Sequence, residues 1–172
     1  MDEFEYERAI EQYTEPLLRQ AYFYTKNKYA AEDIVQDVWI KFYETNGYDE
    51  QGQLAAYLHK MTYHKCLDYL KSWSYKKCVV KEKIEHLTKG NPIELAVINN
   101  EQSAIIEKAI LKLSLKLREP IVLFYYEELK IKDIAIVLSI PESTVKSRLT
   151  KAKLVLKELI GDMEEGELAD GI

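Results

Sequence analysis

The residues best suited to recognise another molecule lie close together near the carboxyl end of this 172-residue chain. Within nine positions, cations alternate with hydroxyl side chains: Ser143, Thr144, Lys146, Ser147, Arg148 and Lys151. Lysine and arginine neutralise phosphates, whereas hydroxyls exchange hydrogen bonds with base edges. These residue types indicate contact with duplex nucleic acid rather than covalent catalysis. The alternative is an ordinary helix with a lysine-rich exposed face.

A second set of aromatic and basic side chains recurs at helical spacing in the middle of the chain. Tyr57, Lys60, His64 and Lys71 stand at i, i+3, i+7 and i+14, so they share one face of a helix. Such a face can hold phosphates while bases stack on its rings. The same basic aromatic surface continues through a short run of residues, Trp73, Lys76 and Lys77. The alternative here is a solvated basic face.

The net charge of −5 is distributed unevenly along the chain. Residues 53–83 carry seven basic and two acidic side chains, and residues 142–161 carry five basic and two acidic ones. Residues 1–52, in contrast, carry five basic and twelve acidic side chains. Because charges are screened beyond a Debye length of roughly 8–10 Å, a phosphate responds to the local charge. Two separated basic segments therefore predict two contacts with nucleic acid.

A helix-turn-helix must position the carboxy-terminal set. Apolar residues at i, i+3, i+4 and i+7 predict a short helix over residues 131–138, and a break at residues 139–141 precedes a second helix that runs to about Ile160. The first residues of such a second helix enter the major groove. An apolar stripe along it must face a core: Val145, Leu149, Ala152, Leu156 and Leu159.

The remaining apolar spacing also predicts helices, so we expect an all-α protein with two small helical domains, residues 1–77 and 105–161. A flexible linker is predicted over residues 78–104, where Gly90-Asn91-Pro92 interrupts any helix. The acidic tail, residues 162–172, is predicted to be disordered.

Several helix boundaries can also be predicted. A hydroxyl before a first-turn proline predicts a helix that restarts at Thr14-Glu15-Pro16. One further helix over residues 30–43 should stop before Asn46-Gly47, and another should run from about Gln53 to near Lys77. In the second domain, the helix over residues 105–117 is predicted to break at Pro120.

The composition excludes several other classes of protein. No apolar run approaches the roughly 18 residues that span a bilayer, and the acidic start lacks the features of a signal peptide. Cys66 and Cys78 indicate thiols in a reducing compartment rather than a disulfide framework. Together with His64 and His86 they match no familiar spacing of metal ligands. We therefore expect a cytoplasmic protein without metal or cofactor that is not an enzyme.

Motifs in the carboxy-terminal domain resemble those of bacterial sigma factors. The run IPESTVKSRL (residues 140–149) is similar to the family pattern LGIPxGTVKSRLxRA, and LREP (residues 117–120) is similar to another of its motifs. The resemblance implies that Ser143–Lys151 read the −35 element of promoter DNA. Three positions depart from the pattern. Lys130 replaces a usual capping serine, and Glu128 and Ser139 replace usual glycines, so both turns must tolerate glycine-like backbone angles.

Motifs in the amino-terminal domain resemble two other sigma-factor helices. AEDIVQDVWIKF (residues 31–42) is similar to the polymerase-docking pattern AEDLVQExFxxx, with Ile34, Val35, Val38 and Phe42 available for a core. The resemblance implies a surface that grips the helical clamp of the largest polymerase subunit: Asp33, Gln36, Asp37, Trp39 and Lys41. Residues 56–71 resemble the pattern xxWLxxIAxNxxxDxxR. This resemblance implies that the aromatic and basic residues named above, from Tyr57 to Lys77, melt and capture the −10 element of promoter DNA.

The order of these motifs is similar to that of extracytoplasmic-function (ECF) sigma factors, which implies a sigma-2-like bundle followed by a sigma-4-like helix-turn-helix domain. The implied function is promoter recognition, DNA melting and transcription initiation, with core RNA polymerase, promoter DNA and an anti-sigma factor as partners. Two other hypotheses remain. A helix-turn-helix activator that binds an operator alone would leave the helix over residues 31–42 without a role. A sigma-like adaptor would dock on polymerase without selecting promoters.

Overall fold

A computed structural model of the protein describes residues 3–45, 53–79 and 101–170, with the side chains of residues 73–79, 101 and 164–170 outside that description. Every regular element in these residues is helical, which confirms the all-α prediction. The chain divides into two units, Met1–Ile93 and Glu94–Ile172. The elements are α1 (Glu3–Thr25), α2 (Lys28–Glu44), α3 (Leu54–Val79), α4 (Glu101–Lys112), α5 (Leu115–Ile121), a π-helical turn (Val122–Tyr126), α6 (Ile131–Leu138) and α7 (Glu142–Asp170).

The first unit is a bundle in which α1 packs against both α2 and α3. Leu17 from α1, Phe42 from α2 and Leu58 from α3 are fully buried where the three helices meet. The helix start predicted at Thr14 is wrong, because α1 continues through Pro16. The Thr14 hydroxyl oxygen is buried without a hydrogen-bond partner among the described residues, so it does not act as a cap. The apolar face of α1 outweighs the one backbone hydrogen bond that a proline removes.

A buried hydrogen-bonded pair joins α1 to α3. The Gln20 amide Nε2 donates to the carbonyl oxygen of His59 at 3.1 Å, and Gln20 Oε1 lies 2.7 Å from His59 Nδ1. Because the amide oxygen can only accept, His59 Nδ1 carries the proton of that second bond. Burial, and secondarily the charge of Arg19, lower the pKa of His59 to about 4. The ring is therefore neutral inside the folded unit at neutral pH.

The second unit turns between α4 and α5 at Leu113-Ser114, and the break predicted at Pro120 is wrong. Arg118 on α5 is buried, and its Nη2 donates to the carbonyl oxygens of Leu111 at 3.0 Å and Leu113 at 2.7 Å. Carbonyls at a helix end have no partner inside the helix, so the guanidinium satisfies two that would otherwise be orphaned. Pro120 lies inside α5, directly before the π-helical turn.

Two residues of the second unit adopt left-handed backbone angles where the sequence predicted glycine-like turns. Glu128 has φ 53° and Ser139, which ends α6, has φ 54°. This conformation costs a non-glycine residue on the order of 1 kcal/mol. Lys130 makes no side-chain cap at the start of α6, as its replacement of a capping serine predicted.

We expect Ser139→Gly to raise the free energy of unfolding by roughly 0.5–1 kcal/mol, because glycine removes the left-handed strain but adds entropy to the unfolded chain. That corresponds to an increase in Tm of about 3–6 °C for a unit of this size. Thermal unfolding followed by circular dichroism measures the change. Ser103→Gly, the same substitution inside α4, is the matched control and should destabilise. An equal decrease in Tm for both variants would contradict the prediction.

The last helix is longer than predicted. We expected helix to end near Ile160, but α7 continues to Asp170, so the prediction of a disordered acidic tail is wrong for residues 162–170. Gly161 costs a helix only about 1 kcal/mol relative to alanine, and the residues after it include good helix formers. The predicted linker around Gly90-Asn91-Pro92 and the turn at Asn46-Gly47 lie outside the described residues. Among the described helices, none has the length and apolar character needed to cross a membrane.

Candidate nucleic-acid and protein interfaces

The α2 helix separates a buried face from an exposed one, as the sequence predicted. The buried face comprises Ile34, Val35, Val38 and Phe42. Four of the predicted partner-binding residues lie on the exposed face: Asp33, Gln36, Asp37 and Lys41.

Trp39 is the exception among the predicted partner-binding residues. Its side chain is 8 % exposed, and its ring makes edge contacts with Tyr6 at 6.0 Å and Phe42 at 5.9 Å between centroids. The Tyr6 hydroxyl also donates to the Trp39 carbonyl oxygen at 2.9 Å. The prediction that Trp39 lies on the contact surface is therefore corrected: the residue anchors α1 to α2.

Sequence reasoning missed three exposed apolar side chains on α2. Tyr29 is 76 % exposed, Ile40 52 % and Tyr43 69 %. Together with Asp33 and Gln36, which lie between Tyr29 and Ile40, they recur at steps of three and four residues, so the five side chains form one stripe. We call these five residues the α2 stripe. That spacing was the signal that could have revealed them. Apolar side chains set among polar ones on an exposed helix face are typical of a protein-binding surface.

An ion pair links the exposed side of α2 to α3. Lys65 Nζ lies 3.2 Å from Asp37 Oδ2, with the two side chains 33 % and 61 % exposed. Leu58 and Thr62, on the same helix as Lys65, are buried. Asp37 thus already has a partner within the chain.

The predicted nucleic-acid face of α3 is present on one side of that helix. His64 and Lys71 are exposed, whereas Tyr57 and Lys60 are half-buried. The Tyr57 ring leans against Phe42 with 6.2 Å between centroids, so only part of it is available to a ligand. Asp68, which the sequence analysis did not single out, is exposed on the same face and reduces its positive charge. The side chains of Trp73, Lys76 and Lys77 lie outside the described residues.

In the second unit, α6 and α7 form the predicted helix-turn-helix. Ile134 and Val137 of α6 are fully buried, as are Val145 and Ala152 of α7, and Leu149 is 6 % exposed. The predicted stripe is therefore confirmed over its first three residues, while Leu156 and Leu159 are half-buried. Amide-to-carbonyl bonds from residues 144 and 145 to residue 141 fix the start of α7.

The predicted base-reading residues lie outside the buried stripe of α7. Ser143, Lys146, Ser147 and Lys151 are exposed, while Thr144 and Arg148 are half-buried. The Ser147 hydroxyl donates to the Thr144 carbonyl oxygen at 3.0 Å, so in the free protein it is turned back onto its own helix. The surface offers cations and hydroxyls to a polyanion. In the described part of the chain, no three His, Cys, Asp or Glu side chains are grouped to hold a metal.

Protein-family models match residues in both units of the chain. The sigma-70 region 2 model matches residues 9–74, and the sigma-70 region 4 model matches residues 103–156. Among curated proteins, the ECF RNA polymerase sigma factor SigW of Bacillus subtilis is 29% identical over 164 residues. That similarity covers 90% of this chain and 88% of the relative.

Two solved structures share the fold. The sigma factor RpoE from Bartonella quintana, in complex with the anti-sigma factor NepR, superposes on this chain with a TM-score of 0.73 at 22% sequence identity. The superposition covers 91% of this chain and 97% of the RpoE structure. CnrH in complex with the cytosolic domain of CnrY gives a TM-score of 0.68 at 18% identity, covering 94% and 90%. At these identities the likeness concerns the fold alone.

Proposed function

This chain belongs to the extracytoplasmic-function family of sigma factors, and from that premise we propose how its surfaces divide the work of initiation. As a sigma factor it binds core RNA polymerase and directs promoter recognition, DNA melting and transcription initiation. The observation that carries the division of work is that each unit presents its own contact surface. The first carries the α2 stripe, and the second carries cations and hydroxyls at the start of α7.

Docking on polymerase is assigned to the exposed side of α2. The exposed Tyr29, Ile40 and Tyr43 supply apolar area, and Asp33 and Gln36 supply polar contacts between them. Apolar side chains that surround a charge exclude water from it, which makes the charge decisive for the choice of partner. The partner is therefore expected to present a cation opposite Asp33.

The exposed face of α3 is assigned to the −10 strand. His64 and Lys71 are free of the core and lie on the side where Tyr57 and Lys60 are half-exposed. A single strand bound there would place phosphates on the lysines and a base against a ring. Because Asp68 shares this face, the site relies on geometry as well as on net charge.

The start of α7 is assigned to the −35 duplex. Lysines 146 and 151 reach phosphates, while Ser143, Ser147 and Arg148 meet base edges. To donate to a base, the Ser147 hydroxyl has to leave the Thr144 carbonyl by rotation about one side-chain bond, whereas its oxygen can accept from a base without moving. Catalysis of RNA synthesis belongs to polymerase, and this chain acts where polymerase acts, in the cytoplasm.

Control by an anti-sigma factor completes the proposal. Of two solved structures that share this fold, one is the sigma factor RpoE bound to the anti-sigma factor NepR, and the other is CnrH bound to the cytosolic domain of CnrY. The α2 stripe offers exposed apolar area that a competing protein could cover. An inhibitor that occupies it would exclude core polymerase directly.

Run-off transcription with purified core polymerase and genomic fragments tests the function. The chain should direct transcripts from discrete start sites, and Arg148→Ala should reduce those that depend on a −35 element about tenfold, since one lost base contact is worth about 1–3 kcal/mol. Lys108→Ala, which removes an exposed cation on α4, is the control and should leave transcription unchanged.

The two rival hypotheses predict other outcomes. An activator that works alone would bind its operator without core polymerase and give no transcripts in this purified system. An adaptor without promoter selectivity would bind core polymerase but would give no transcripts from discrete start sites. Discrete start sites that depend on Arg148 exclude both.

A further inference from the structure

The exposed cations of α7 form two rows rather than one. At 100° per residue, Lys146, Lys153 and Lys157 share one flank of the helix, and Arg148 and Lys151 share the other. Between the rows, Ser143, Ser147 and Thr150 form a crest opposite the buried stripe. Lys146, Lys153 and Lys157 are all exposed, so the first row is open to a ligand along its length.

One member of the first row is held from outside its own helix. Lys153 Nζ lies 5.5 Å from the centroid of the Tyr125 ring, which belongs to the π-helical turn. Tyr125 is 51 % exposed, so this ring contributes little to the core. A ring face attracts an ammonium group, and the contact restricts where a flexible lysine side chain points. Tyr125 therefore favours one direction of the Lys153 side chain before any ligand arrives.

A DNA major groove has dimensions that match this arrangement. The groove is about 12 Å wide, and a helix with its side chains is about 10–12 Å across, so both flanks of an inserted helix come close to a phosphate backbone. Along the axis, Lys153 follows Lys146 by about 10 Å, at a rise of about 1.5 Å per residue. The row therefore extends beyond the base-reading residues towards the edge of the groove.

We propose that Lys153, positioned by Tyr125, binds the phosphodiester backbone beside Lys146, on the opposite wall of the groove from Lys151. This proposal rests on the proposed binding of α7 to the −35 duplex. It adds a phosphate contact by Lys153 and a positioning role for Tyr125, and neither residue is among the base-reading residues. The ligand is the duplex backbone, since three cations in a row complement a line of phosphates.

The salt dependence of DNA binding tests the contact. The reconstituted holoenzyme is titrated onto a labelled promoter duplex identified by run-off transcription, at 50–200 mM salt. Lys153→Gln should reduce the slope of log K against log salt by about 0.9, the value for one phosphate contact. Wild-type affinity would then fall about 3.5-fold more than that of the variant over this range. Lys108→Gln, on α4, is the matched control and should keep the wild-type slope.

A double-mutant cycle tests the positioning role of Tyr125. Tyr125→Leu should weaken binding about two- to fivefold, whereas Tyr125→Phe, which keeps a ring face, should bind like wild type. In a Lys153→Gln background, Tyr125→Leu should have no further effect, because the residue that it positions is gone. A structural defect would persist in that background.

Each contrary outcome has a distinct meaning. An unchanged slope for Lys153→Gln overturns the proposal, even if transcription falls, because Lys153 would then make no phosphate contact. An equal effect of Tyr125→Leu in both backgrounds overturns the positioning role. A wild-type holoenzyme that gives no discrete transcripts would instead refute the proposed function.

Discussion

Asp33→Arg should weaken binding to core RNA polymerase by about 30-fold or more, the largest functional effect that we expect from a single substitution. Asp33 is exposed on α2 within the α2 stripe, between the aromatic Tyr29 and the aliphatic Ile40. When a partner covers those apolar groups, the arginine that replaces Asp33 loses its hydration and faces the cation that the partner presents. Loss of a charge pair in such a setting costs about 2–5 kcal/mol. Titration of labelled protein with core polymerase measures the change.

Asp33 is a cleaner test of docking than Asp37. Asp37 already pairs with Lys65 at 3.2 Å, so its reversal also places two cations together at the contact of α2 with α3. The double reversal of Asp33 and Asp37 should abolish docking but also lower the stability of the first unit. Glu11→Arg, an equal reversal on an exposed position of α1, is the matched control. Wild-type affinity of the Asp33 variant, with an unchanged circular dichroism spectrum, would exclude the stripe as the docking surface.

The first unit should lose about 2 kcal/mol of stability between pH 7 and pH 5 because of His59. Its pKa in the folded unit is about 4, below the ordinary value of 6.5 that applies to the unfolded chain. Between those two values the unfolded state binds a proton that the folded state does not, so stability is present above pH 6.5 and is lost as the pH falls towards 4. The loss approaches about 1.4 kcal/mol for each pH unit inside this window.

Tryptophan fluorescence isolates this effect. Both tryptophans, Trp39 and Trp73, lie in the first unit, so urea unfolding followed by their emission reports on that unit alone. His59→Gln should be less stable at pH 7, because it disrupts the pair with Gln20, but its stability should depend much less on pH. Parallel pH profiles for wild type and variant would contradict the assignment to His59.

The periodicity of the sequence was sufficient to predict the elements that carry function. Apolar spacing alone predicted the buried stripe of α7 through Ala152 and the buried face of α2, because a helix repeats its faces regardless of context. The resemblance to the family, in which glycines are usual at positions 128 and 139, implied glycine-like backbone angles there, and Glu128 and Ser139 both have them. The apolar spacing depends on a few neighbouring residues, which a sequence displays directly.

Features that depend on distant partners could not be predicted in this way. Burial, and secondarily the charge of Arg19, lower the pKa of His59, and its ring pairs with Gln20. Both partners lie some forty residues earlier, and nothing local indicates that pairing. Pro120 was read as a break, but the turn lies at Leu113-Ser114, where Arg118 reaches back to cap α4. The family resemblance implied that Trp39 lies on the contact surface, whereas its ring packs against Tyr6, which belongs to another helix and is not visible in the motif.

The length of α7 has an electrical consequence. Residues 142–161 carry five basic and two acidic side chains, and residues 162–170 carry five acidic ones, all on one continuous helix of 29 residues. A helix of this length spans about 43 Å, and its peptide groups already make its first turn positive and its last turn negative. The side chains have the same polarity, so they enlarge this dipole moment rather than cancel it. In the field of a polyanion, such a helix experiences a torque that turns its amino-terminal end towards the nucleic acid before any contact forms, and added salt weakens that torque.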